Sequence, residues 1–100
     1  MEIRIIKSPT RGTVEIIRNR VGVKARTDFD SVPAIGLVQG RMIEMMCAID
    51  IAEKAVGVTV EDVKGSCPQN MIMIAIFGDT SSVESALREI QEKMKDGYTV

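Results

Sequence analysis

The sequence predicts a single α+β domain in which helices cover a four-stranded sheet. Apolar residues alternate or run continuously in four short segments, as in strands, and recur at helical spacing in two longer segments. The predicted order is a strand, an irregular segment, and then strand, helix, strand, strand and helix. A ferredoxin-like split βαβ sandwich has the order βαββαβ. The chain therefore predicts that fold in circularly permuted form, with the usual last strand at the N-terminus.

The hydrophobic pattern of the N-terminal third of the chain is clear over the first residues and weak after them. Alternating apolar residues predict a strand over residues 2–7, which Pro9 ends. Residues 10–32 predict either a short helix or a hairpin, because the apolar stripe there is short and bracketed by glycines. The stripe consists of Val14, Ile17 and Val21. Residues 28–33 have the composition of a turn-rich connection.

The middle of the chain predicts a strand over residues 34–39 and a helix over about residues 41–55, which Gly57 ends. Five apolar residues at i, i+3, i+4 spacing are expected to form the core stripe of this helix: Met42, Met45, Ile49, Ala52 and Val56. Four other residues form a mixed strip that suits a subunit contact: Ile43, Cys47, Asp50 and Lys54.

The C-terminal part predicts two strands and a helix. Residues 58–63 alternate as in a half-buried strand, and residues 71–77 are apolar throughout, as in a central strand covered on both faces. A tight loop, residues 64–70, separates them. Residues 81–84 fit a capping box for the second helix, which extends to about Lys95. Its apolar stripe is Val83, Ala86, Leu87, Ile90 and Met94.

Composition excludes several functional classes. The chain has 100 residues, no His, a formal net charge of -1 and 3% aromatic residues, so we expect neither a nucleic-acid-binding face nor the usual general base of an enzyme. Its longest apolar run, residues 71–77, is far short of the ~20 residues that span a membrane. No secretory signal precedes Pro9, and a cytoplasmic location is expected.

Several segments, in their order along the chain, resemble the bacterial microcompartment (BMC) shell domain. They are Pro-Ala-Ile-Gly-Leu-Val at residues 33–38, Ala-Ile-Asp-Ile-Ala-Glu-Lys-Ala at 48–55, the Gly-Ser loop, and Ile-Ala-Ile-Phe-Gly-Asp at 74–79. The likeness assigns residues 33–94 to the domain core and residues 1–32 to the permuted strand with its irregular segment. It implies a structural, non-enzymatic protein that forms flat homohexamers and tiles a microcompartment shell with other shell proteins.

The loop resembles more narrowly the pore loop of a permuted shell protein from glycyl-radical-enzyme microcompartments. Its residues are Gly65, Ser66, Cys67, Pro68, Gln69 and Asn70. This resemblance implies that the loop lines a central pore and that Cys67 is a metal ligand for an iron–sulfur cluster of the 4Fe-4S type. The wider family resemblance implies that Lys54 lies at the hexamer edge, in contact with neighbouring hexamers. One departure is Ser8, which precedes Pro9 at the position where the family usually has a basic residue. Lys7 and Arg11 are nearby, and the sequence leaves open whether Arg11 replaces that residue in contacts between neighbouring hexamers.

Cys67 alone in one chain has the character of an incidental thiol. A cyclic oligomer would bring one Cys67 per subunit to a common axis and supply the several thiolates that a cluster needs. Six thiolates exceed the ligand number of a cluster, so only some would bind at once, and an empty cysteine-lined pore remains the alternative. Cys47 is expected to be a half-buried packing thiol.

One further functional class stays open from the residues. A ferredoxin-like regulatory module that binds a metabolite between subunits has the same order of strands and helices. A basic cluster is expected to be either solvated or directed at the pore. Its members are Arg18, Arg20, Lys24 and Arg26.

Overall fold

The computed structural model of the chain describes residues 1–65, 71–95 and 98–100. Within these residues it contains four strands and three helices. In chain order they are β1 (Glu2–Lys7), α1 (Arg11–Val21), β2 (Ala34–Arg41), α2 (Met42–Glu53), β3 (Val58–Val63), β4 (Met71–Gly78) and α3 (Thr80–Lys93). All four predicted strands are confirmed, and the segment that allowed a helix or a hairpin contains the helix α1.

The described strands form one sheet in the order β1-β2-β4-β3, and every neighbouring pair is antiparallel. Strands β2 and β3 therefore run in the same direction on either side of β4, with α2 between them in sequence. This is the split βαβ arrangement that the sequence predicted. Strand β1 lies at the outer edge beside β2, where a βαββαβ fold has its last strand. The interpretation as a circular permutation stays a prediction.

Two hydrophobic cores lie on opposite faces of the sheet. Along β4, Ile74 and Ile76 pack with α2 and α3, whereas Ala75 and Phe77 pack with α1 and the segment that follows it. All four residues are buried. The continuous apolar run of β4 thus matches a central strand covered on both faces, as predicted.

Helix α1 begins and ends with specific caps. The side chain of Thr10 accepts a hydrogen bond from the backbone N–H of Thr13 at 3.2 Å. Gly22 ends the helix with φ of 94°, a left-handed conformation that favours glycine. The predicted stripe of α1 is buried against the sheet: Val14, Ile17 and Val21. We call residues 22–33, which join α1 to β2, the connecting segment.

The predicted core stripe of α2 was partly wrong. Met42 is 48% exposed, and Val56 lies beyond the end of α2 and is 90% exposed. The buried residues of this helix are Met45, Ala48, Ile51 and Ala52. Because α2 is apolar on several sides, periodicity could not decide which side faces the sheet.

The cap of α3 was also predicted two residues too late. Asp79 is the N-cap, and its carboxylate accepts hydrogen bonds from the backbone N–H of Ser82 at 2.8 Å and from the hydroxyl of Ser81 at 3.0 Å. The hydrogen bonds from Ser82 and Ser81 lower the pKa of Asp79 from its usual value. Glu84, assigned to the cap from sequence, instead pairs with Lys7 at 3.6 Å.

Candidate functional site

The predicted pore loop leaves the sheet at the end of edge strand β3. Of its residues, Gly65 is described, whereas Ser66, Cys67, Pro68, Gln69 and Asn70 lie outside the described residues. The last paired residues of β3 and β4 are Val63 and Met73, so the loop joins two antiparallel neighbours at one end of the sheet. The assignments of Cys67 as a metal ligand and of the loop as a pore lining stay predictions.

The described base of the loop is attached to α1. The backbone N–H of Lys64 donates to the carbonyl oxygen of Arg20 at 3.1 Å, and Nη1 of Arg20 donates to the carbonyl oxygen of Lys64 at 3.5 Å. The last turn of α1 therefore covers the outer edge of β3 where the strand ends. A cleft of about 450 Å³ adjoins this contact. Its polar lining includes Arg20, Gln39, Asp62 and Lys64.

In the structure, three arginines of the basic cluster predicted from the sequence have different partners. Arg18 pairs with Glu15 at 3.7 Å, and Arg26 pairs with Glu53 at 3.3 Å, so acidic side chains on the surface partly neutralise both. Arg20 differs because its guanidinium contacts the backbone at the loop base. Of these three arginines, Arg20 is the one that lies at the base of the loop, beside Lys64.

Glu61 is a structural residue that the sequence did not identify. Its side chain is buried, although the alternation of β3 placed it on a polar face together with Thr59. That face is covered by the connecting segment, whose residues Arg26 and Thr27 donate hydrogen bonds to the Glu61 carboxylate. The polar alternation of Thr59 and Glu61 gave no sign of burial, because their partners are distant in sequence.

Lys54 lies at the C-cap of α2, on the surface, where it pairs with Asp50 through a 2.6 Å contact. The mixed strip predicted for this helix is largely exposed, with Cys47 half-buried as expected. At the start of α2, Ile43 of this strip lies beside two methionines, and together they form an exposed apolar patch. Each of the three residues is 48–76% exposed. This α2 patch consists of Met42, Ile43 and Met46. A contiguous exposed apolar patch is a candidate interaction surface.

Arg11, near the position where the family has a basic edge residue, is engaged within its own chain. Its Nη1 donates to the carbonyl oxygen of Phe29 at 3.0 Å, and its Nη2 pairs with Glu15 at 3.0 Å. These contacts assign Arg11 a part in holding the connecting segment to α1.

Residues 1–65, 71–95 and 98–100 contain no group of three or more Cys, Asp or Glu side chains placed to hold a metal ion. In the same ranges, no helix is long and apolar enough to cross a membrane.

Comparison with known families gives a match over two thirds of the chain: residues 34–100 match the BMC domain. The chain belongs to the BMC domain family. Among solved structures, this BMC-domain protein is similar to the ligand-free GrpU microcompartment shell protein from Clostridiales bacterium 1_7_47FAA. The identity is 56%, the TM-score is 0.74, and the match covers 97% of this chain and 95% of that one.

A second similar structure is the ligand-free GrpU microcompartment shell protein from Pectobacterium wasabiae, with 27% identity and a TM-score of 0.72. The match covers 90% of this chain and 99% of that one. No curated protein sequence matches the chain. The family match begins at residue 34, whereas the Clostridiales match covers 97% of the chain and therefore extends over most of β1 and α1. The BMC-domain protein is thus a microcompartment shell protein, which confirms the family resemblance read from its sequence.

Proposed function

We propose that this BMC-domain protein forms cyclic homohexamers that tile the shell of a cytoplasmic microcompartment together with other shell proteins. The observation that supports this most is the 56% identity with a GrpU microcompartment shell protein over nearly the whole chain. The same observation favours a non-enzymatic shell protein over a metabolite-binding regulatory module, because both similar structures are shell proteins.

The shape and surface of one chain support the role of a tile. Its principal extents are 39 × 32 × 21 Å, so it is thinnest along one axis. The α2 patch exposes apolar side chains that a neighbouring subunit would cover. Lys54 lies at the C-cap of the same helix, and its exposed ion pair with Asp50 leaves it at the surface for contacts between hexamers.

We further propose that residues 65–70 line the central pore and that Cys67 ligands from several subunits hold a 4Fe-4S cluster of a glycyl-radical-enzyme compartment. Each chain offers one thiol in this loop, so the ligand set depends on the oligomer. The base of this loop carries two cationic side chains, Arg20 and Lys64, together with the carboxylate of Asp62. Positive charge close to a cysteine favours its thiolate form, which is the form that binds metal. When bound, such a cluster supplies one-electron redox chemistry.

Anaerobic purification tests the cluster assignment. Iron, sulfide and visible absorption are measured for the wild type, Cys67→Ser and the matched control Cys47→Ser, which removes the half-buried thiol of α2. We expect iron and sulfide in the wild type and in Cys47→Ser, and their loss in Cys67→Ser. Equal iron in the wild type and Cys67→Ser would remove Cys67 as the ligand. Sedimentation separately tests for a particle of six 11.0 kDa chains.

A further inference from the structure

We propose that Glu61 is a positioning residue that fixes the base of the predicted pore loop by holding the connecting segment against β3. The Glu61 side chain is 8% exposed. Its Oε2 accepts three hydrogen bonds, from the backbone N–H of Arg26 at 2.9 Å, the backbone N–H of Thr27 at 3.0 Å and the hydroxyl of Thr27 at 2.6 Å. Two successive backbone N–H groups directed at one oxygen form a small anion-binding site, here occupied by a side chain of the same protein.

The direction of the hydrogen bonds shows that the carboxylate is the final acceptor of a short network. The Thr27 hydroxyl gives its proton to Glu61, so the 2.6 Å contact between the hydroxyls of Thr27 and Thr59 has Thr59 as donor. Thr59 and Glu61 lie on one face of β3. An ionised carboxylate accepts from all three donors, and hydrogen bonds to a charged acceptor are stronger than those to a neutral one.

The same stretch of chain is attached to β3 at a second point. Residues 20–27 contact Glu61 through Arg26 and Thr27, and contact Lys64 through the backbone of Arg20. Between the two points the chain turns at Gly22 and continues through Val23, which is fully exposed. Glu61 and Lys64 are three residues apart on the chain and hold the two ends of residues 20–27. Releasing Arg26 and Thr27 from Glu61 is therefore expected to weaken the hydrogen bond between Arg20 and Lys64 at the other end.

The consequence for the loop follows from the position of Lys64. It is the residue before Gly65, where the predicted pore loop begins, and β3 has no strand on its outer side in the described sheet. The path of the chain into the loop is therefore set by α1 and the connecting segment as well as by β4. The meaning of this coupling for a pore rests on the proposed function, whereas the coupling itself does not.

Residue-resolved hydrogen exchange of the full chain tests the coupling. Glu61→Gln keeps the size of the side chain and removes its charge, and Asp62→Asn is the matched control, an exposed neighbour on the opposite face of β3. In Glu61→Gln, we expect the amides of Arg26 and Thr27 to exchange about tenfold faster, because hydrogen bonds to a neutral acceptor are weaker than those to a charged one. We expect the Lys64 amide to exchange faster as well, and all three to stay at wild-type rates in Asp62→Asn.

A second variant, Thr27→Val, removes only the hydroxyl and keeps both backbone donors. It is expected to change the same amides in the same direction by a smaller factor, and it serves as the test if Glu61→Gln fails to fold. Wild-type exchange of the Lys64 amide, alongside faster exchange at Arg26 and Thr27, would overturn the proposal and leave Glu61 with a local role. The measurement uses no iron, so its failure is distinguishable from failure of the cluster or the hexamer.

Discussion

The ring of Phe29 packs edge-on against the ring of Phe77, with centroids 5.4 Å apart and planes at 85°. These are the two phenylalanines of the chain, one in the connecting segment and one in β4. The guanidinium carbon of Arg18 lies 5.9 Å from the centroid of the Phe29 ring. The connecting segment is therefore part of the second core and closes it over the sheet.

Phe29→Ala is expected to destabilise the protein by about 3 kcal/mol, because it removes a buried ring and leaves a cavity against Phe77. Urea unfolding measures the change. Ile16→Ala, a large apolar residue that is 63% exposed on α1, is the control and is expected to change the free energy of unfolding by less than about 0.5 kcal/mol. Equal effects of the two substitutions would contradict the closing role of Phe29.

The α2 patch is expected to be a subunit contact. Ile43 is 76% exposed in the single chain, so Ile43→Lys costs little within the chain but places a charge in the proposed interface. Sedimentation is expected to show smaller particles than the wild type, with unchanged secondary structure by circular dichroism. Ile16→Lys on α1 is the control. An Ile43→Lys variant that still sediments as a hexamer would exclude this patch from the interface.

Lys54→Ala is expected to abolish extended sheets while leaving stability nearly unchanged. The exposed ion pair with Asp50 contributes at most about 0.5 kcal/mol, so an effect on assembly would reflect contacts between particles. Electron microscopy of concentrated protein measures sheet formation. Lys93→Ala removes a similar exposed helix lysine that pairs with Glu89 at 4.0 Å, and it is expected to behave like the wild type. Wild-type sheets in Lys54→Ala would refute the edge assignment.

The cap of α3 predicts a pH dependence. The pKa of Asp79 is lowered from the usual 3.8, so its ionised form stabilises the folded chain above that value, and this stabilisation is lost as the pH falls through the lower folded-state pKa. Asp79→Ala is therefore expected to be less stable than the wild type at neutral pH, with a difference that narrows in acid. Urea unfolding across the pH range measures the difference. A difference independent of pH would show that the charge of Asp79 has no part in capping.

The local hydrophobic pattern was sufficient to predict secondary structure and burial where an element is buried throughout or along one periodic stripe. The apolar run of β4 indicated a strand covered on both faces, and the stripe of α3 indicated a helix with a single buried face; both are confirmed. The order of the elements was enough to predict the split βαβ arrangement. The family followed from short segments between residues 33 and 79, and residues 34–100 match the BMC domain.

Only the tertiary structure decided the features that depend on contacts between distant residues. The buried side of α2 was ambiguous because the helix is apolar on several sides, and its packing on the sheet buries Met45 and Ala48 while leaving Met42 at the surface. From the sequence, Glu61 resembled a solvent-facing strand residue. In the fold it is buried by Thr27 and Arg26, which are 34 and 35 residues away along the chain. A periodic pattern records which side chains are apolar, whereas the elements that cover them are fixed by packing across the whole fold.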